Sequence, residues 1–476
     1  MTPTPAWLDL DRNGGDLAGQ IYRSLRDRIL LGQLPAGHKL PSTRALAASL
    51  GVARSTVVEA YDRLKSEGYI EASAGAATRI AALARMRPER QQDQRVPVKQ
   101  ESSEQPPYRA LFRPGAPDVS DFPHAVWSRH LAARSRSLRI HHLGYEHATG
   151  IRELREAILE HVSVTRGVVA EPEQVMIVPS TRAAIDMLAR TMLRRSGRRA
   201  AWMEDPGYPA ARLLLSDAGA EVVPVPCDDQ GIDVSRMDGP QPALIPALIP
   251  ALIYVTPSHQ YPTGATLSLP RRLALLEAAR RHESLIVEDD YDSDFQYGSR
   301  PIAALQGIDR AEVVAYVGTF SKVLAPGLRV AYAVVPRWLV SEASEALHRR
   351  GVAVSTHIQA ALADFIDEGR LRAYLRRMNQ QYAERMARTI GMLESHFGGR
   401  LFISGGNGGL QLAAWFRDAT VDDRAVVAKV NASGYGLMPM SGFFIGKSAP
   451  GILFGISQAE AAAVQRLAAD LKAVLV

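Results

Sequence analysis

Between residues 17 and 32, LAGQIYRSLRDRILLG sets Leu17, Ile21, Leu25, Ile29 and Leu30 on one helical face, with Gly32 as its stop. Two shorter stripes follow in LPSTRALAASLGVARSTVVEAYDRLKSEGYI: Leu46, Ala47 and Leu50, then Val57, Val58, Tyr61 and Leu64. Ser42 or Thr43 can cap the first, Gly51 makes the turn, Ser55 can cap the second and Gly68 closes it. Two short helices around a glycine turn predict a helix-turn-helix. Tyr69-Ile70-Glu71 and Thr78-Arg79-Ile80, separated by small residues around Gly75, predict a two-stranded wing.

The pattern breaks at 81–108, which is rich in Gln, Arg, Glu and Pro and nearly lacks large apolar residues; it reads as a solvated linker. Residues 109–476 are globular in pattern. An amphipathic helix carries Ile151, Leu154, Ile158 and Val162 on one face. Short apolar runs then alternate with helices: Val175–Val178, Ala200–Met203, Glu221–Val225, Ala251–Thr256, Leu285–Glu288, Val313–Val317 and Val330–Val334. That alternation predicts a mostly parallel sheet covered on both faces, with ligands at the loops after the strands. Helices over 355–395 and strands in GGLQLAAW (409–416) and GILFGIS (451–457) predict a second, smaller α/β lobe. ALIPALIPALI, 243–253, is a four-residue echo; a short duplication that lengthens a loop is its simplest reading.

The length of 476 residues allows two or three domains. A net charge of +6 and a pI near 9.4 are compatible with nucleic acid without being diagnostic. Residues 1–80 carry ten Lys/Arg against eight Asp/Glu. A single cysteine, Cys227, excludes an internal disulfide and fits a reducing compartment. No secretory pattern opens the chain and prolines interrupt its longest apolar run, so a cytoplasmic protein without a membrane segment is expected.

Chemistry gathers in the loops. After successive strands come Pro-Ser-Thr181-Arg182 at a helix start, Glu-Asp-Pro-Gly-Tyr208-Pro, Thr-Pro-Ser-His-Gln-Tyr261-Pro-Thr-Gly, Glu-Asp289-Asp-Tyr291-Asp and Gly-Thr319-Phe-Ser321-Lys322. A lysine beside an apolar run can lose part of its preference for the charged form, and the neutral amine attacks aldehydes. Thr319, Ser321 and Arg329 could hold a phosphate beside it, and free N–H groups at a helix start suit one too. Lysine, aldehyde and phosphate together suggest pyridoxal 5'-phosphate (PLP).

Residues 17–80 resemble the winged helix-turn-helix of the GntR family. The resemblance implies that Arg54, Ser55 and Thr56, at the start of the second helix, meet base edges of double-stranded DNA. Arg44 is then a second reader or a phosphate clamp, with Ser42 beside it. The wing near Gly75 would approach the minor groove, although Ala76 and Ala77 stand where Ser and Gly are common.

EDPGYP, VTPSHQYPTG, IVEDDYDSDF and YVGTFSKVLAPGLRVAY, in that order, resemble the fold-type I PLP-dependent transferases. The chain as a whole resembles the MocR/GabR regulators, a GntR-type domain fused to an aminotransferase-like domain. The implied fold is α/β: a winged helix-turn-helix, then a large mostly parallel sheet domain and a smaller α/β lobe. Carried over residue by residue, Lys322 attaches PLP, Asp289 pairs with the ring nitrogen, Tyr291 bonds the 3-hydroxyl and Tyr208 lies against the ring. Thr181, Arg182, Thr319, Ser321 and Arg329 hold the phosphate. Tyr145 reaches the phosphate of a partner subunit, which implies a homodimer.

The expected function is PLP-dependent transcriptional regulation, with the second domain sensing PLP, a small amine or an amino acid. A working aminotransferase with an appended DNA-binding domain is the alternative. Tyr261, in place of the aminotransferases' asparagine, favours the regulator. Leu453 stands where a carboxylate-clamping arginine is expected, which leaves Gly115 N–H and Arg212 as anion contacts and predicts slow or absent transamination.

Overall fold

The computed structural model describes residues 10–12, 15–72, 77–82, 110–145, 147–236, 249–298 and 302–475. Gly75 and Ala76 of the wing, most of the 81–108 stretch and residues 243–248 of the echo lie outside these. The chain divides into two units between Ser102 and Ser103.

In the first unit, α1 (Leu17–Leu30) is capped by Asp16, whose carboxylate accepts from Gly19 N–H at 3.0 Å. Helix α2 (Thr43–Leu50) is capped by Ser42 and ends at Gly51, whose φ of 63° suits glycine. Helix α3 (Arg54–Ser66) begins one residue before Ser55, so Ser55 is not its cap. Ala53 takes the cap position with extended backbone and no side-chain bond, which places Ser55 inside the first turn. Ile21, Leu25, Leu46, Val57 and Leu64 are fully buried together, each burial contributing roughly 1.5–3 kcal/mol. Strands β1 (Ile70–Glu71) and β2 (Arg79–Ile80) pair antiparallel as the expected wing.

The second unit opens with α4 (His124–Ser137) and α5 (Arg152–Arg166), then β3 (Val175–Val178), α6 (Thr181–Ser196), β4 (Ala200–Asp205) and α7 (Pro209–Asp217). Next come β5 (Glu221–Asp228), β6 (Gly231–Ile232), β7 (Pro250–Val255), α8 (Leu269–His282) and β8 (Leu285–Asp290). After α9 (Leu305–Ile308), β9 (Val314–Thr319) leads into the single turn α10 (Phe320–Val323), and β10 (Ala331–Val334) into α11 (Val340–Arg350) and α12 (Thr356–Asp367). These strands form one sheet in the order β3-β10-β9-β8-β7-β4-β5-β6. Its centre is parallel, but β10 runs antiparallel to both β3 and β9, and β6 antiparallel to β5.

Side-chain alternation explains the layers. Val175 and Ile177 of β3 pack with Leu154 and Ile158 of α5, whereas Met176 and Val178 pack with Ile185 and Leu188 of α6. Both faces are therefore covered, and the strands read as continuous apolar runs.

The long α13 (Arg370–Phe397) leads into the smaller lobe: β11 (Leu401–Ser404), β12 (Gln411–Phe416), α14 (Asp423–Asn431), β13 (Met438–Pro439), β14 (Gly451–Gly455) and α15 (Ala461–Leu475). Its sheet, in the order β11-β12-β14-β13, is antiparallel throughout. Among the described residues no helix is long and apolar enough to cross a membrane. Among them, too, no group of three His, Cys, Asp or Glu side chains is set to hold a metal ion.

Candidate functional site

In the first unit, the polar face of α3 offers Arg54, Ser55, Glu59 and Asp62 to solvent, and Thr56 and Val58 are half-buried. Arg54, Ser55, Val58, Glu59 and Asp62 line one shallow depression. Arg44 is exposed in the first turn of α2, and the Ser42 hydroxyl beside it accepts from Ala45 N–H at 3.2 Å. Val57, Ala60, Tyr61 and Leu64 hold the opposite face of α3 in the core, which leaves its polar face clear for a groove of DNA.

In the second unit, the sheet order brings the loops after β3, β4, β7, β8 and β9 to one edge. Lys322 lies in α10, where the Thr319 hydroxyl accepts from Ser321 N–H at 3.1 Å. Lys322 Nζ donates to the Gly115 carbonyl at 2.5 Å. Burial lowers the lysine's pKa to about 8, and the nearby Arg113 and Arg182 charges push in the same direction. Ala331 pairs with Thr319 across β10 and β9, so Arg329, two residues before Ala331, returns to the edge that Lys322 leaves. Arg329 takes a left-handed φ of 54°, a conformation uncommon for a side chain this large.

Asp289 ends β8, buried. Its Oδ2 accepts from the Tyr254 hydroxyl at 2.6 Å, whereas Oδ1 is buried with no hydrogen-bond partner. Burial raises this carboxyl to about 7, against the opposing bond from Tyr254. A buried acceptor left uncommitted is costly, and a protonated ring nitrogen would satisfy it. The residues present therefore fit PLP: an amine poised for an aldehyde, an open acceptor and a helix start at Thr181.

Aromatic rings make one wall. Tyr261 meets Tyr208, Tyr291 and Phe443 edge-on, at centroid separations of 5.3, 5.9 and 5.5 Å. Tyr261 is held from behind, where its N–H donates to Thr256 Oγ1 at 2.8 Å and Thr256 donates to the buried Glu204 at 2.6 Å. Thr181 is half-buried and Arg182 exposed in the first turn of α6, after the Ser180 cap.

Two expected residues stand apart. Tyr145 is 98% exposed, and Arg212 Nη1 points to the Phe444 carbonyl at 3.5 Å. Gly115 presents its carbonyl to Lys322, in place of the expected N–H contact to an anion. Leu453 is fully buried in an apolar cluster with Ala413, Met440 and Phe443, against which Tyr261 packs.

Sequence reasoning missed Tyr254, Arg113, Gln411 and a buried pair, His259 Nδ1 with Asp292 Oδ1 at 2.8 Å. Asp292 Oδ2 also accepts from Leu410 N–H at 3.0 Å, tying this edge of the large sheet to the small lobe. A Cβ on Gly408 would lie 2.4 Å from His259 Nε2, so glycine is required there. A polar Gln within the apolar GGLQLAAW was the one signal available for Gln411.

Comparison with known proteins agrees with this architecture. Residues 129–421 match the aminotransferase class I and II family, and residues 17–80 match the gntR family of bacterial regulatory proteins. The chain is 38% identical over 450 residues to the probable rhizopine catabolism regulatory protein MocR of Rhizobium meliloti, covering 91% of this chain and 88% of that one. It is 30% identical over 446 residues to the pyridoxine biosynthesis transcriptional regulator PdxR of Corynebacterium glutamicum, covering 92% and 91%. The Pyrococcus horikoshii kynurenine aminotransferase structure matches with a TM-score of 0.69 at 21% identity, over 79% of this chain and 93% of that one, a likeness of fold. The chain belongs to the MocR-type regulators, in which a GntR helix-turn-helix domain precedes an aminotransferase class I and II domain.

Proposed function

We propose that this DNA-binding transcriptional regulator carries PLP on Lys322 and uses the loaded site to sense PLP itself or a small amine. The observation that carries the reading is half-buried Lys322, its pKa lowered by desolvation, near a carboxylate, Asp289, whose Oδ1 is uncommitted. When bound, PLP supplies an aldehyde for amines and an electron-withdrawing ring. Asp289 offers its open oxygen to the ring nitrogen and keeps a proton there. Tyr291 bonds the 3-hydroxyl, and Tyr208 covers one face of the ring. Thr181, Arg182, Thr319, Ser321 and Arg329 gather around the phosphate, as N–H, hydroxyl and guanidinium donors do.

Arg54, Ser55 and Thr56 read an operator, with Arg44 and Ser42 at its border. The protein works in the cytoplasm as a homodimer. Tyr145, Ile140 and Leu143, exposed at 98, 89 and 63%, form an apolar stretch suited to a second copy, with Tyr145 reaching the partner's site. The test is reduction of the PLP-treated protein with borohydride followed by peptide mapping. The label is expected on Lys322, and a Lys322→Ala protein that kept the visible band would refute the assignment.

The complete lysine–carboxylate pair also favours a second reading, a working aminotransferase. Leu453 opposes it, because no guanidinium takes that position to clamp an α-carboxylate. Rapid spectral conversion by alanine, aspartate or glutamate would restore the enzyme reading.

A further inference from the structure

Strand β12 puts Gln411 and Ala413 on one face, and its partner β14 sets Gly455 opposite Gln411 and Leu453 opposite Ala413. Ala413 and Leu453 belong to the apolar cluster on which Tyr261 rests. Among these four residues Gln411 alone has a polar side chain. It is 5% exposed, its Nε2 donates to the Tyr291 hydroxyl at 3.2 Å, and its Oε1 is buried without a partner. This amide orientation would suit the role proposed for Tyr291, since a phenol that gave its proton to a cofactor's 3-oxygen would have its own oxygen left to accept.

Oε1 and the reactive amine also border one small space beside Gly115. A point one bond out from Gly115 Cα lies 3.2 Å from Lys322 Nζ and 3.8 Å from Gln411 Oε1. A ligand whose primary amine took up the space beside the Lys322 amine would have its neighbouring atoms within reach of this carbonyl. Resting on the PLP reading above, we propose that Gln411 determines effector specificity, accepting a hydrogen bond from a hydroxyl or amino group on the carbon next to the ligand's primary amine. The effector class is then a 1,2-amino alcohol or 1,2-diamine, not an α-amino acid. A carboxylate placed there would meet a carbonyl oxygen, a repulsive contact, whereas a donor relieves an unsatisfied acceptor.

The experiment titrates the full-length, PLP-loaded protein with 2-aminoethanol, 2-methoxyethylamine and L-alanine, following the visible band and calorimetric heat. The methoxy compound keeps a similar amine basicity and lacks the donor. Half-saturation by 2-aminoethanol is expected at roughly tenfold lower concentration than by 2-methoxyethylamine, the worth of one hydrogen bond, and lower than by alanine. Gln411→Leu should collapse the ratio between the two amines to near one, and Gln411→Glu, which keeps an acceptor, should restore it. Equal half-saturation in the unaltered protein, tighter binding of alanine, or a tenfold ratio that survives Gln411→Leu would each overturn the proposal. If Gln411→Leu fails to fold, the three ligands on the unaltered protein still decide. A protein that forms no band with PLP would remove the underlying reading as well, whereas a band without discrimination would remove this inference alone.

Discussion

In the proposed role, Lys322 is useful as a nucleophile because its surroundings strip the amine of water. With its pKa lowered to about 8, roughly a tenth of it is neutral at pH 7, against well under a thousandth for an ordinary lysine. The rate of PLP attachment should climb as the pH rises through about 8 and level off above it, as stopped-flow absorbance would show; a rise continuing to pH 10 would place the amine in water. The pKa of Asp289 is shifted in the opposite direction, since burial favours its protonated form and raises it to about 7. Asp289→Ala removes a charge-assisted bond, and PLP affinity should fall by about 10- to 100-fold in equilibrium titration. Lys322 and Asp289 were legible because reactive residues stood just past apolar runs. Tyr254 was not, because a tyrosine inside ALIYV has the pattern of core, and only the sheet shows its hydroxyl turned to Asp289.

At the scale of elements, apolar periodicity located the helices and strands well, because burial dictates it. Direction was harder to read. Residues 331–334 are as apolar as their parallel neighbours, and an alternating pattern carries no sign of which way a strand runs; the short connection from α10 is what reverses it. Helix starts were uneven in the same way. Ser42 caps α2 as its position suggested, but α3 starts from an extended Ala53 without a side-chain bond. Ser42→Ala should therefore destabilise the helix-turn-helix by about 1 kcal/mol, measured by denaturant unfolding, whereas Ser55→Ala should leave stability nearly unchanged. Arg54→Ala should weaken operator binding by about 1–3 kcal/mol at fixed salt, if the guanidinium pairs with a guanine. Unchanged affinity would take Arg54 out of the reading set.

For the whole molecule, the expected solution species is a dimer at micromolar concentration, checked by sedimentation with PLP present. Two helix-turn-helix units on one assembly gain affinity through effective concentration, even where each alone is weak. Weakness is what the face of α3 suggests, for Glu59 and Asp62 stand exposed beside Arg54 and Ser55. The log–log slope of DNA affinity against salt should accordingly be shallow on unrelated sequence, because few phosphates are neutralised there. Bulk chromosomal DNA then sequesters few copies. A regulator that the genome scarcely holds back is free to find its operator from solution, so a small number of molecules per cell would suffice to keep one promoter under control.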